Sequence, residues 1–343
     1  MIQPSVETLV NAEELASKIG SVDFSDCSAT VLGYGNMGKH YLQALQSLGI
    51  GQIRVCSRSQ EPLNQLAKLP NVTTIAGGFR SLECVPTLGE LAIVATPIAE
   101  LIPAAKHLAD LGFKKILIEK PASLWSKEII ELEKYLTLKG VGAYCAYNRV
   151  TYPSLVETRF RAAEEGGITS CVYSFTEIIG EDWEQHYSAD ELSRWGVANS
   201  LHPISMAHAL IGLPMTWSGH RSGGLSWHPS GSVFVGSGVT EDDVPFGYQA
   251  DWGSKGRWSV EINTSKASYR LCPLEKLYAK TSSLSNWEEI PVAVYDPEVK
   301  VGFAEQLAAI LDSEIGRMVP LMDLTQTARL TAFGEDIFGY LNS

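Results

Sequence analysis

Two short stretches hold the residues best suited to chemistry. The first, Ile116-Leu117-Ile118-Glu119-Lys120-Pro121, is an apolar run that ends on a lysine and a proline. Such a run reads as a buried parallel strand, and in open α/β sheets the ligand crevice lies outside the carboxyl ends of the strands. Lys120 would project toward a ligand there, while Pro121 stops the strand. The plainer account is a solvated lysine at a strand end, because ordinary lysines are mostly exposed. The second stretch is Gly33-Tyr34-Gly35-Asn36-Met37-Gly38. A strand-like run, Ala29 to Leu32, leads into it, and Met37, Tyr41, Leu45 and Leu48 then share one helical face that Gly49 ends. In this pattern the first glycine permits a tight turn, the second lets backbone approach a pyrophosphate, and the third lets helix pack on strand. The helix N-terminus then faces the anion. A purely structural glycine turn is the alternative.

The next strand, Gln52 to Cys56, ends about 20 residues beyond the glycine turn, where an NAD-type unit places an acid on the ribose. Ser57-Arg58-Ser59 stand there instead. Hydroxyls and a guanidinium suit a 2′-phosphate, so NADP is expected over NAD, with NAD left open and an exposed turn arginine as the rival account. Leu91 to Ala95 reads as another strand, and Thr96-Pro97 ends it as Lys120-Pro121 ends the later one. The expected cofactor contacts are therefore Gly33, Tyr34, Gly35, Asn36, Met37, Gly38, Ser57, Arg58, Thr96 and Pro97.

The elements that must position these residues alternate in a βα rhythm. A strand is predicted at Val72 to Ala76, a helix at Leu101 to Leu111, the strand Ile116 to Ile118, a helix around Lys127 to Leu136, and a strand at Val141 to Tyr144 closing on Tyr147-Asn148-Arg149. Beyond about residue 150 the rhythm breaks. A helix at Tyr152 to Glu165 and a long strand at Thr169 to Ile179 lead to a polar loop with Trp183, His186 and Trp195, then a helix near His202 to Ile211. From Met215 to about Val294, short Val-, Trp-, Tyr-, Ser- and Thr-rich runs read as a mainly antiparallel sheet. Val301 to Ile315 and Leu324 to Leu341 read as closing helices. Before Ser28, the residues Val6, Leu9, Val10, Leu15 and Ile19 suggest one amphipathic helix outside the main fold. The expected fold class is α/β: an N-terminal doubly wound Rossmann domain over residues 28–149, after an extension over 1–27. An α+β domain with a large, mainly antiparallel sheet follows over 150–343, its last helices packing back on the first domain.

Composition narrows the function. The 343 residues are 45% hydrophobic, enough for a substantial core and two domains. A net charge of −12 argues against a nucleic-acid partner, which needs clustered cations. The six cysteines, Cys27, Cys56, Cys84, Cys145, Cys171 and Cys272, form no CxxC pair, which fits free thiols in a reducing cytoplasm. No apolar run reaches the ~18 residues of a membrane span, and acids stand where a signal peptide would be basic. The histidines show no ligand spacing, so no metal is expected. No GxSxG elbow supports serine-hydrolase chemistry.

Taken together, Gly33-x-Gly35-x-x-Gly38, Ala95-Thr96-Pro97, Glu119-Lys120-Pro121, Tyr147-Asn148-Arg149 with Pro153, and His202-Pro203-Ile204 resemble the Gfo/Idh/MocA family of NAD(P)-dependent oxidoreductases. The resemblance implies a substrate cleft between the two domains and a homodimer or homotetramer formed through the open sheet. It implies that Lys120 holds the reacting oxygen beside the nicotinamide, that Glu119 contacts the ribose or orients the lysine, and that His202 is a general acid/base. Tyr147, Arg149, Asn199 and Trp195 would face the substrate. The sequence departs from the family at Ala198, where many polyol-oxidising members carry an aspartate, and at Ser205, often an acid. The expectation is an NADP-preferring dehydrogenase or reductase of a sugar, sugar nucleotide or polyol. Rivals are a reductase of a non-sugar C=N or C=C bond and a cofactor-binding regulator without turnover.

Overall fold

The computed structural model describes residues 8–83, 86–87, 89–180 and 182–340; Val6, Cys84 and Leu341 lie outside the described residues. After helix α1 (Ala12–Ser21), strand β1 (Ser28–Leu32) is followed by α2 (Asn36–Ser47), β2 (Gln52–Ser57), β3 (Val72–Ala76), β4 (Leu91–Val94), α3 (Ile98–Leu111), β5 (Lys115–Ile118), α4 (Ser126–Leu138) and β6 (Gly142–Cys145). These six strands are parallel and lie in the order β6-β5-β4-β1-β2-β3. Helices cover both faces, so β4 and the Ile116–Ile118 part of β5 are fully buried, which is why they read as unbroken apolar runs. Strand order reverses between β1 and β4, and the crevice opens at that point.

Helix α5 (Pro153–Glu164) leads to β7 (Ser170–Ser174), two short helices α6 (Trp183–His186) and α7 (Ala189–Ser193), a π-helical turn over Gly196–Ser200, and α8 (Leu201–Ile211). Then come β8 (Pro214–Ser222), β9 (Val233–Thr240), β10 (Pro245–Asp251), β11 (Ser259–Asn263), β12 (Ser268–Leu271), β13 (Leu277–Lys280) and β14 (Glu288–Ile290). They form an eight-stranded sheet, β14-β13-β12-β11-β7-β10-β9-β8, antiparallel except where β7 meets β10. Its inner face is aromatic: Tyr173 packs on Phe246 and Tyr248, and Phe175 on Phe234 and Tyr248, with ring centres 5.9 to 6.1 Å apart. Glycine makes the room. A Cβ at Gly236 would lie 2.3 Å from the Tyr248 ring, and one at Gly238 would lie 2.6 Å from Phe246.

The chain then forms α9 (Phe303–Leu311), β15 (Met322–Asp323) and α10 (Leu324–Phe338). β15 adds antiparallel to β6, giving the first sheet a seventh strand. Asp323 caps α10, which packs along α4 and sends Phe333 and Phe338 into the aromatic layer of the second sheet.

Four expectations change. α1 belongs to the core: Leu15 and Ile19 are 1% exposed, and the Ala12 amide donates to the Glu157 carboxylate of α5 at 3.1 Å. The long strand predicted to Ile179 stops at Ser174, because the Thr176 hydroxyl accepts from the Asp251 amide at 3.0 Å in place of the ladder. The polar loop before residue 195 contains α6 and α7, the latter held by a Ser188 capping box. The first closing helix ends at Leu311, since Asp312 accepts from the amides of Glu314 and Ile315 and starts a new turn.

Candidate functional site

The glycine turn forms one wall of a cavity of about 390 Å³ at the carboxyl ends of β1, β2 and β4. Gly33 has φ +98°, and a Cβ there would lie 2.2 Å from the Ala95 carbonyl oxygen; one at Gly38 would lie 1.9 Å from the Gly33 oxygen. Gly35 has open space in its place. The N-terminus of α2 has no side-chain cap and no acid in its first turn. Free amides and an empty approach at Gly35 fit a pyrophosphate. Tyr34, Asn36, Met37, Ser57, Arg58, Thr96 and Pro97 line the same cavity, as does Glu100 from α3. The Thr96 hydroxyl is buried without a protein partner.

Lys120 stands two residues past the end of β5. The chain turns sharply behind it, with the Ala122 amide donating to the Glu119 carbonyl at 2.9 Å and Ala122 in the left-handed region at φ 65°. For a residue other than glycine that conformation is a store of strain of about 1–3 kcal/mol, tolerated where the surrounding structure fixes it. The Lys120 ammonium donates to the Ala198 carbonyl at 2.9 Å, so position 198 serves the lysine through its backbone. Burial lowers the lysine's pKa; the charge of Glu119 acts against that, and Arg149 adds to it. Glu119 is 6% exposed and turned inward, accepting from the Tyr41 hydroxyl of α2 at 2.7 Å. Burial raises its pKa, and that bond and the Lys120 charge oppose the rise.

A second cavity, about 350 Å³, is lined by Arg149, Glu177, Asn199, Arg257, Trp258 and Trp183 among others. The Arg149 guanidinium lies 4.8 Å from the centre of the Trp258 ring. Glu177, just past the end of β7, is 4% exposed and accepts from Ser200 Oγ at 2.5 Å and Asn199 Nδ2 at 3.1 Å. Burial pushes its pKa up to about 7, with the Ser200 and Asn199 bonds and the Lys120 charge acting against the rise. His202 lies at the start of α8, 7% exposed, its ring 5.9 Å from those of both Tyr147 and Trp258. Burial, then the charges of Arg149, Lys120 and Lys300, hold its pKa well below the usual histidine value, so the imidazole is neutral. Its Nδ1 and the Tyr147 hydroxyl are buried without protein partners.

The structure thus brings Lys120, Tyr147, Arg149, Asn199 and His202 into one region. Trp195 is 4% exposed and packs against Trp183 at 4.4 Å and Tyr187 at 4.7 Å; Trp183 lines the cavity, while the Trp195 indole acts on Glu177, whose pKa it helps to lower. Sequence reasoning missed Glu177 and Lys300. An acid inside the apolar run Phe175-Thr176-Glu177-Ile178-Ile179 was the available signal for the first. Lys300, whose ammonium is 3.9 Å from Met37 Sδ of the glycine turn, carries no local signal. A third cavity, about 530 Å³, adjoins the first at Pro97 and is lined by Trp125 and Arg194. Among the described residues no group of three or more His, Cys, Asp or Glu could hold a metal ion, and no helix is long and apolar enough to cross a membrane.

No protein-family profile matches the chain, and no curated protein matches it in sequence. Solved structures do. An oxidoreductase from Agrobacterium radiobacter, in complex with NAD+, L-tartaric acid and magnesium, superposes with a TM-score of 0.74 at 12% identity, covering 92% of this chain and 96% of that one. The WlbA dehydrogenase from Bordetella pertussis, in complex with NADH and UDP-GlcNAcA, gives 0.68 at 13% identity with 92% and 96% covered. A super-repressor mutant of Gal80p from Saccharomyces cerevisiae gives 0.72 at 12% identity with 91% and 95% covered. The fold is therefore that of a Rossmann domain joined to an open-sheet domain.

Proposed function

We propose that this chain is a nicotinamide-dependent oxidoreductase of the Gfo/Idh/MocA type. It would transfer a hydride between cofactor and a hydroxyl or carbonyl carbon of a sugar, sugar nucleotide or related polyol. One observation carries the reading: just past the end of β5, the Lys120 ammonium is held by the Ala198 carbonyl within electrostatic reach of Arg149 and Glu177 of the second cavity, while Glu119 beside it is bonded to Tyr41 of α2, the helix that follows the glycine turn. The two fold relatives whose structures hold NAD+ and NADH support the cofactor class.

The glycine turn and the α2 N-terminus would hold the pyrophosphate, and Thr96 and Pro97 would flank the nicotinamide side. Ser57 and Arg58, with no acid at the end of β2, favour NADP over NAD. When bound, the nicotinamide supplies the hydride acceptor or donor. Lys120 would hold the substrate oxygen and stabilise the negative charge that develops on it. A lysine with a lowered pKa, in a partly desolvated site, is suited to that work. Neutral His202 would donate or accept a hydrogen bond. The faces of Trp258 and Trp183 suit the apolar faces of a sugar ring.

The test is oxidation of NADPH and NADH by keto-sugars, and reduction of NADP and NAD by levoglucosan, myo-inositol and UDP-N-acetylglucosamine, beside a panel of imines and conjugated alkenes. Turnover in the sugar arms supports the reading. Turnover confined to imines or alkenes, or cofactor binding without any turnover, overturns it.

A further inference from the structure

Resting on that oxidoreductase reading, we propose that Glu177 is the proton-transfer residue of the site, filling the role that an aspartate-oriented histidine would otherwise have. Three geometric facts point there. First, the π-helical turn Gly196–Ser200 indexes the two charged groups to each other. Its Ala198 carbonyl accepts from Lys120 Nζ at 2.9 Å, and the next two residues, Asn199 and Ser200, donate to the Glu177 carboxylate at 3.1 and 2.5 Å. Second, Glu177 is 4% exposed, yet lines the cavity that Arg149 and Trp258 share. Its donors Ser200 and Asn199 are neutral, as is the Trp195 indole that also lowers its pKa, so it is a buried carboxylate held without a salt bridge to any of them, a costly arrangement for a merely structural residue. Third, His202 is badly placed to gain a proton: its Nδ1 is buried and unpartnered, and cations surround the ring.

Lys120 acts on Glu177 through its charge, and three further charged groups line the cavity that Glu177 borders. Lys120 follows β5, Arg149 lies in the turn after β6, Arg257 precedes β11, and Glu275 lies between β12 and β13. Burial outweighs the Ser200 and Asn199 bonds, the Lys120 charge and the Trp195 indole, and brings the carboxyl to about 7. A group that titrates near the working pH is the efficient proton carrier.

In the oxidative direction the substrate's carbinol C–H and O–H bonds break and a C=O bond forms. The hydride, with its electron pair, goes to the oxidised nicotinamide, and the proton goes to the ionised Glu177 carboxylate. Lys120 remains an ammonium, donating to the substrate oxygen throughout. Reduction reverses each transfer and needs Glu177 protonated. Oxidation should therefore fall as pH drops through about 7 and reduction should fall as pH rises through it.

The experiment has two arms. In the first, protein carrying 13C at glutamate Cδ is titrated by NMR with NADP bound. A carboxyl resonance titrating near 7 that is missing from Glu177→Gln is expected. Absence of any such resonance overturns the proposal. In the second, kcat/KM is measured against pH with whichever compound of the sugar panel turns over. Glu177→Gln should lose about 10²-fold or more in kcat, keep cofactor affinity and lose the acid limb of the oxidation profile. Glu177→Asp should restore part of the rate together with the limb, and circular dichroism checks both folds. Turnover by Glu177→Gln with the limb intact overturns the proposal while leaving the oxidoreductase reading standing. A panel silent throughout, with cofactor bound, overturns that reading and takes this proposal with it.

Discussion

At the scale of single residues, the site separates charge from histidine. Lys120 has a charge and a backbone acceptor at 2.9 Å, whereas His202 has a neutral ring and no carboxylate bonded to Nδ1. Lys120→Met should keep the fold and cofactor affinity but lower kcat by about 10²-fold or more; His202→Ala should cost less, about 10–10². Steady-state kinetics on variants first shown to be folded check this, and near-normal turnover by Lys120→Met would remove Lys120 from the mechanism. Arg58 is a different kind of residue: exposed, at the end of β2, in the cavity of the glycine turn. Its guanidinium can meet a 2′-phosphate but has little to gain from a ribose hydroxyl. Arg58→Ala should thus weaken NADP binding more than NAD binding in fluorescence titrations, and equal losses would withdraw the NADP preference.

At the scale of elements, the turn between β1 and α2 uses its glycines for different reasons. A Cβ at Gly38 would strike the Gly33 carbonyl oxygen at 1.9 Å, while one at Gly35 would meet nothing within 4 Å. Gly38→Ala should therefore destabilise the protein by about 1–3 kcal/mol or more, as overpacking does. Gly35→Ala should leave stability unchanged and weaken cofactor binding, because its methyl occupies only the approach to the pyrophosphate. Denaturation and cofactor titration on the pair separate the two effects. The segment after α7 is anchored differently. Arg194, 5% exposed, donates to Glu335 of α10 at 2.8 Å and to the Leu124 carbonyl at 2.9 Å, and it stacks 3.5 Å from the Trp125 ring centre. Glu335→Ala would strand that buried guanidinium and also remove the acceptor of Ser126 at the start of α4. A loss of about 3–5 kcal/mol is expected by urea denaturation, as for breaking a buried pair.

At the scale of the molecule, the second sheet has one covered face and one bare one. Register places Val172, Glu261, Arg270 and Tyr278 on the outer face of β7, β11, β12 and β13, and Gln249 and Val235 on that of β10 and β9. Val172 is 54% exposed and Val235 is 44% exposed, while Tyr173 and Phe234 beside them are buried against α8 and α10. We propose that a second copy of the chain covers this face, as the sequence resemblance implies. Sedimentation at micromolar concentration should give a dimer or tetramer, and Val172→Lys should shift it toward monomer. A monomeric parent protein would withdraw the proposal.

Much of this follows from local order in the chain. The strand-glycine-helix of residues 29–48, the apolar runs ending at Thr96 and Lys120, and the alternating runs after Met215 could be read directly, because buried parallel strands and half-buried antiparallel ones impose periods that neighbours in sequence must obey. The sequence by itself thus determined two sheets of different kinds, the glycine turn between β1 and α2, and a lysine just past the end of β5. Tertiary structure alone decided the rest, since it depends on residues far apart along the chain. α1 joined the core through Glu157 of α5, β15 returned some 180 residues later to pair with β6, and Trp195 packed against Trp183 within reach of Glu177. Above all, a glutamate in an apolar run and a lysine 57 positions before it acquired one common frame, the turn at residues 196–200. No local pattern encodes that meeting, because its physical cause is the desolvation and hydrogen bonding that arise only when α8, β5 and β7 close around the same space.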